Sequence, residues 1–81
     1  MSDQIIMYGT TWCGDCHRSK RLLDRLQVDY TWIDVDLDAE ALAYIKQINH
    51  GRRVVPTIVF KDGDVLFEPS DFELQNKLGE N

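Results

Sequence analysis

The sequence predicts an α/β fold of order βαβαββα, a four-stranded mixed sheet flanked by three helices. Three observations carry that prediction. Two strand-like runs, Ile5 to Tyr8 and Tyr30 to Val35, bracket a stretch in which Leu22, Leu23 and Leu26 recur at helical spacing, so together they read as one βαβ unit. Two later runs, 56–60 and 65–68, flank Lys61-Asp62-Gly63-Asp64, whose Asp-Gly pair is a hairpin signal. Helix-start chemistry stands at Asp38 and again at Ser70, where Glu73 falls three residues on.

Each element has its own justification. The first strand covers residues 4–8 and is broken by Gly9-Thr10-Thr11; the first helix follows over 14–27 and the second strand over 30–35. A second helix is expected over 39–49, with Asp38 as N-cap, Leu42, Ile45 and Ile48 facing inward, and Gly51 as its stop. The strands at 56–60 and 65–68 are antiparallel because only a short loop joins them. The last helix opens on the Ser70–Glu73 capping box and turns Leu74 and Leu78 inward. Tyr8, Tyr30, Trp32 and Phe60 are assigned to the core.

Length and charge narrow the function. The 81 residues allow a single domain, 1–81, whose core is only marginally self-sufficient, so nearly every apolar residue is committed to it. With 14 acidic against 9 basic residues the net charge is −5, and no basic stripe interleaved with aromatics is present, which argues against nucleic acid as a partner. No segment reaches membrane-spanning length, and no repeat or linker is visible. The opening Met1-Ser2-Asp3-Gln4 carries no charged leader region, so a cytoplasmic, monomeric protein is expected, with residues 1–3 and Gly79-Glu80-Asn81 as loose ends.

The chemistry lies in Trp12-Cys13-Gly14-Asp15-Cys16, which holds the chain's only two cysteines. Cys13 falls at or just before a helix start, where unpaired backbone N–H groups and the positive end of the helix dipole stabilise an anion, so a thiol there is expected to titrate below its free value of about 8.5. Cys16 comes one turn later, close enough to bridge to Cys13 and expected to lie beneath it. Disulfide exchange is therefore the leading reading. Zinc needs four ligands, and only His17 and His50 remain to supply them, neither at finger-like spacing. A purely structural bridge belongs to secreted chains.

Neighbouring residues extend the site. Trp12 is expected half-exposed beside Cys13, as a flat contact surface that shields the sulfur. Asp15, between the cysteines, opposes thiolate formation and repels anionic thiols, or else simply favours the helix dipole. Arg53 is placed to hold a substrate carboxylate, whereas Arg18, Lys20, Arg21 and Arg25 read as a solvated helix face. His17 is read as a surface residue of the first helical turn, and His50 as loop.

The element order, Cys13-Gly14-Asp15-Cys16 and Val54-Val55-Pro56-Thr57 together resemble the glutaredoxin family within the thioredoxin superfamily, and the resemblance covers nearly the whole chain. It implies a thioredoxin-like fold in which Val55-Pro56 faces the cysteine pair through a cis peptide bond, an isomer rare enough to act as a constraint. It also implies that the Val55 backbone receives an extended substrate segment as an added strand. Ser70-Asp71 matches the segment that takes the γ-glutamyl carboxylate of glutathione, a helix N-terminus being suited to an anion. Four positions depart from the family pattern: Val54 stands where threonine is usual, Glu68-Pro69 replaces a glycine pair, and Thr10 replaces a lysine. Trp12-Cys13-Gly14 and the Pro69-Ser70 helix start look closer to mycoredoxins and to glutaredoxin-like reductase donors, which use mycothiol or a flavin reductase.

What the resemblance implies is a thiol–disulfide oxidoreductase acting on protein disulfides or on mixed disulfides with a small thiol such as glutathione or mycothiol. Cys13 attacks, Cys16 resolves, and no organic cofactor or metal is needed because the sulfur pair carries both electrons. Two rivals are a dedicated electron donor recharged by thioredoxin reductase, of the ribonucleotide-reductase donor type, and a module that binds an iron–sulfur cluster or zinc through Cys13.

Overall fold

The computed structural model describes residues 4–79; the loose ends expected at 1–3 and 80–81 lie outside them. The elements are β1 (Ile5–Gly9), α1 (Gly14–Arg25), β2 (Tyr30–Asp34), α2 (Ala39–Ile48), β3 (Thr57–Val59), β4 (Val65–Phe67) and α3 (Asp71–Leu78), in the expected order. They form one four-stranded sheet ordered β2-β1-β3-β4. β1 pairs in parallel with β2, from Ile5↔Tyr30 to Gly9↔Asp34, which is why α1 must cross between them. β3 runs antiparallel to both β1 and β4.

Strand alternation sorts the core into two halves. Ile5 and Met7 of β1 turn to one face, where they meet Leu22 and Leu23 of α1, Ile58 and Phe60, and Leu74 of α3. Ile6 and Tyr8 turn to the other and pack with Val35 and with Ala41 and Ile45 of α2. This period of two is what a sheet covered on both faces requires. Of the aromatics assigned to the core, Tyr8 and Phe60 are buried, but Tyr30 and Trp32 are half-buried on its edge. The Tyr30 hydroxyl reaches the Asp24 carboxylate at 3.1 Å, and Lys20 lies 4.1 Å over the Trp32 ring. A polar tip at the surface explains the partial burial of Tyr30.

Helix starts fall where expected, while several ends do not. Asp38 caps α2 by accepting the Ala41 N–H at 3.0 Å, and Ser70 and Glu73 make both bonds of the capping box on α3. α1 stops at Arg25, two residues short of the expected end, because Gln27 adopts φ 58. The Gln27 N–H donates to the Asp24 carbonyl and the Val28 N–H to the Leu23 carbonyl, a Schellman closure made without glycine. In α2 the fully inward pair is Ala41 and Ile45, with Leu42 and Ile48 half-buried. Gly79, expected loose, instead caps α3 at φ 82.

The hairpin strands are also shorter than the expected 56–60 and 65–68. The Phe60 N–H donates to the Asp64 carbonyl and the Gly63 N–H to the Phe60 carbonyl, with Gly63 at φ 92, so three residues form the connection. That is a turn closed by a left-handed residue. β4 ends at Phe67 because Glu68 turns to φ 48, its N–H still donating to the Pro56 carbonyl at 2.8 Å. No helix among the described residues is long and apolar enough to cross a membrane.

Candidate active site

The site stands at the end of β1 where the chain leaves the sheet and enters α1. Cys13 is the N-cap of α1, with φ −88 and ψ 115, and its sulfur accepts the Cys16 N–H at 3.1 Å. A capping side chain satisfies one of the amides that a helix start leaves unpaired, and the bond strengthens as the acceptor gains charge. The sulfur also lies 3.9 Å from the Val55 carbonyl, to which the thiol donates.

Cys16 lies deeper than Cys13, fully enclosed against 8% exposure for its neighbour. Burial pushes its thiol up to about 12, the side-chain bond with Cys13 adds to the effect, and a backbone bond from Thr10 works against it. The seat for this sulfur is made by Gly9. A methyl group at Gly9 would stand 2.7 Å from the Cys16 sulfur and 2.7 Å from the Trp32 ring. Gly9, expected to break the strand run, is instead the last residue of β1, and it lets a thiol and an indole occupy one space.

Val55–Pro56 is cis, and it lies beside the cysteines as the resemblance implied. The first β3 residue paired with β1 is Thr57, opposite Tyr8, so Val55 sits just beyond the last rung of the ladder. Thr57 fixes the approach by donating its hydroxyl to the Val54 carbonyl at 2.7 Å.

From this centre, contacts extend to two sides. On one, Trp12 is 66% exposed, more open than expected, and its indole N–H donates to Asp36 at 2.8 Å. Arg53 pairs with the same carboxylate at 2.5 Å and lies 5.5 Å over the Trp12 ring. On the other side Asp15 pairs with Arg18 at 3.4 Å, and Arg18 reaches across to the Pro69 carbonyl at 3.3 Å and to Asp71 at 3.8 Å. Ser70 is spent as the N-cap of α3, leaving the amides of Asp71 and Phe72 without intrahelical acceptors. His17 lies on the exposed first turn of α1, with its ring nitrogen 2.6 Å from the Thr11 carbonyl, and His50 follows α2 in a left-handed conformation.

The structure thus brings Cys13, Cys16, Trp12, Asp15, Val55 and Pro56 together directly. Arg53, Ser70 and Asp71 join through two residues that the sequence reading left out of the site. Arg18 had been placed on a solvated face, yet it staples α1 to the start of α3; its i,i+3 spacing from Asp15 was the available signal. Asp36 left no signal, since its partners Trp12 and Arg53 lie 24 and 17 residues away.

Comparison with known proteins gives the family and the fold. The glutaredoxin family model matches residues 5–66. Mycoredoxin 1 of Corynebacterium glutamicum is 36% identical over 74 residues, covering 91% of this chain and 91% of its own length. Among solved structures, the glutaredoxin of Methanosarcina mazei Go1 superposes with TM-score 0.77 at 28% identity over 94% of this chain and 78% of that one. A glutaredoxin of Archaeoglobus fulgidus reaches TM-score 0.80 at 24% identity, covering 93% and 85% respectively, which is a likeness of fold.

Proposed function

Since the chain belongs to the glutaredoxin family of disulfide oxidoreductases, we propose that it reduces protein disulfides, and mixed disulfides with a small thiol, through Cys13 and Cys16. The observation that carries this is the asymmetry of the pair. Cys13 caps the helix and meets the Val55 carbonyl, while Cys16 is enclosed and holds its proton far above neutral pH. This asymmetry supports a division in which one sulfur attacks and the other waits.

In this reading the Cys13 thiolate attacks a substrate disulfide, forming a mixed disulfide and releasing one substrate thiolate. Cys16 then attacks the Cys13 sulfur, its proton passing to the departing second thiolate, and two electrons leave the protein as a Cys13–Cys16 disulfide forms. Val55, beyond the last rung of β3, offers its backbone to an extended substrate segment. Trp12 and Arg53 flank that segment, and Asp15 tunes which thiols approach. No organic cofactor takes part. The protein acts as a cytoplasmic monomer recharged by a low-molecular-weight thiol, glutathione or mycothiol, whose carboxylate meets the start of α3 at Ser70-Asp71, where the Asp71 amide has no intrahelical acceptor.

One observation favours a flavin reductase as the electron source instead: Arg18 and the Pro69 carbonyl already pair at the start of α3, and Asp71 adds a negative charge there. Side-by-side reduction of the oxidised protein by glutathione, by mycothiol with its reductase, and by thioredoxin reductase with NADPH decides between them. Cys13→Ser is expected to abolish turnover. Cys16→Ser is expected to accumulate the mixed disulfide, and an inactive Cys16→Ser protein with no adduct would overturn the assignment.

A further inference from the structure

We propose that Asp36 is a positioning residue that selects polypeptide disulfides over small ones, by holding Trp12 and Arg53 in one arrangement beside Cys13. The inference rests on the functional reading above and names what sets its substrate class. Its ground is a closed triangle. One Asp36 oxygen accepts the Trp12 indole N–H at 2.8 Å, the other accepts from Arg53 at 2.5 Å, and Arg53 covers the Trp12 ring with its carbon 5.5 Å from the centroid. Each member touches the other two.

The triangle ties three separate loops. Trp12 belongs to the β1–α1 loop next to Cys13, Asp36 to the β2–α2 loop, and Arg53 to the segment that leads into Val55–Pro56. Asp36 is itself anchored. Its N–H donates to the Asp34 side chain at 2.9 Å, and the preceding Val35 is buried, with its N–H donating to the Gly9 carbonyl at 2.9 Å. The clamp is therefore built outward from the sheet.

An exposed indole and a long arginine would otherwise sample many rotamers and lose that freedom on binding. Ordered in advance, they form a rim: the Trp12 ring, the unused donors of the Arg53 guanidinium, and Leu37, which follows Asp36 and is 86% exposed. A peptide running past Cys13 along Val55 meets that rim with its side chains and carbonyls. A small disulfide needs only the sulfur.

The test uses stoichiometric reduced protein, so no external donor is required. Rates are followed against concentration for a disulfide-linked peptide pair and for bis(2-hydroxyethyl) disulfide, in the wild type, Asp36→Ala and Asp36→Asn. The side-chain N–H signals of the two tryptophans are read by NMR, with Trp12→Phe to assign them. Asp36→Ala is expected to shift the Trp12 indole signal and to raise the half-saturating peptide concentration about three- to tenfold. The small disulfide should lose less, and Asp36→Asn, which keeps an acceptor for Trp12 but drops the charge, should fall between. Equal losses on both disulfides, no loss on the peptide, or an unmoved Trp12 signal in Asp36→Ala overturns the clamp alone. A wild type inert toward both disulfides overturns the functional reading and the clamp with it.

Discussion

A methyl group added at Gly9 has no space to occupy. It would lie 2.7 Å from the Cys16 sulfur and 2.7 and 2.8 Å from two ring carbons of Trp32, where carbon atoms at rest keep about 3.5–4.0 Å apart. Neither side can simply give way. The Gly9 backbone is held by its pairing opposite Asp34 and by the Val35 N–H on its carbonyl, Cys16 is fixed in the first turn of α1, and Trp32 is pressed from outside by Lys20. Overpacking of this kind costs about 1–3 kcal/mol, and each 1 kcal/mol lowers Tm by roughly 4–8 °C in a domain of this size. Taking about 2 kcal/mol, Gly9→Ala is expected to melt roughly 8–16 °C below the wild type when both are reduced and followed by circular dichroism. Because two of the three close atoms belong to the outer ring of Trp32, which phenylalanine lacks, part of the loss should vanish in a Trp32→Phe background. A double-mutant cycle measures that coupling. A Gly9→Ala protein that melts within about 2 °C of the wild type, or pays the same cost in both backgrounds, would refute the packing argument.

Two further outcomes follow from the site and its supports. The folded chain keeps the Cys16 proton up to about 12, whereas an unfolded thiol loses it near its free value of about 8.5, so stability fully present below that value declines as the pH rises toward 12. Tyr8 and Tyr30, both raised chiefly by burial, act in the same sense at higher pH and remain in Cys16→Ser. Urea midpoints measured across the alkaline range should therefore fall more steeply for the wild type than for Cys16→Ser, and parallel slopes would dismiss the buried thiol as their source. At the start of α3, Ser70→Ala removes the acceptor for the Glu73 N–H and is expected to cost about 1 kcal/mol, a Tm loss of roughly 4–8 °C. An unchanged Tm would mean that the cap carries no weight in holding α3 against Arg18.

The sequence by itself determined what depends on residues close together in the chain. Asp38 and Ser70–Glu73 start helices through bonds that span three residues, so type and spacing suffice to identify them. Cys13 and Cys16 are legible for the same reason: a helix start and a three-residue step place one sulfur on the other's N–H. The continuous apolar run Ile5 to Tyr8 likewise marked β1, whose side chains pack on both faces of the sheet. The end of α1 was less legible, because a Gln at φ 58 closes it where pattern reading looks for glycine, and the closing bonds are read only from the folded backbone.

Only the tertiary structure decided how the cysteine pair is surrounded. Gly9 read as a strand breaker, but its missing side chain is what seats Cys16 against Trp32, a contact between three different elements. Arg18 read as solvated, yet it reaches residues about fifty positions away to join α1 to α3. Asp36 carried no local mark at all. Its carboxylate gains a role when the sheet order β2-β1-β3-β4 brings three loops to the same end, and no spacing along the chain encodes that meeting. Short-range hydrogen bonding wrote the helix starts and the sulfur pair into the sequence, whereas the surroundings of those sulfurs arise from contacts that exist only once the sheet has formed.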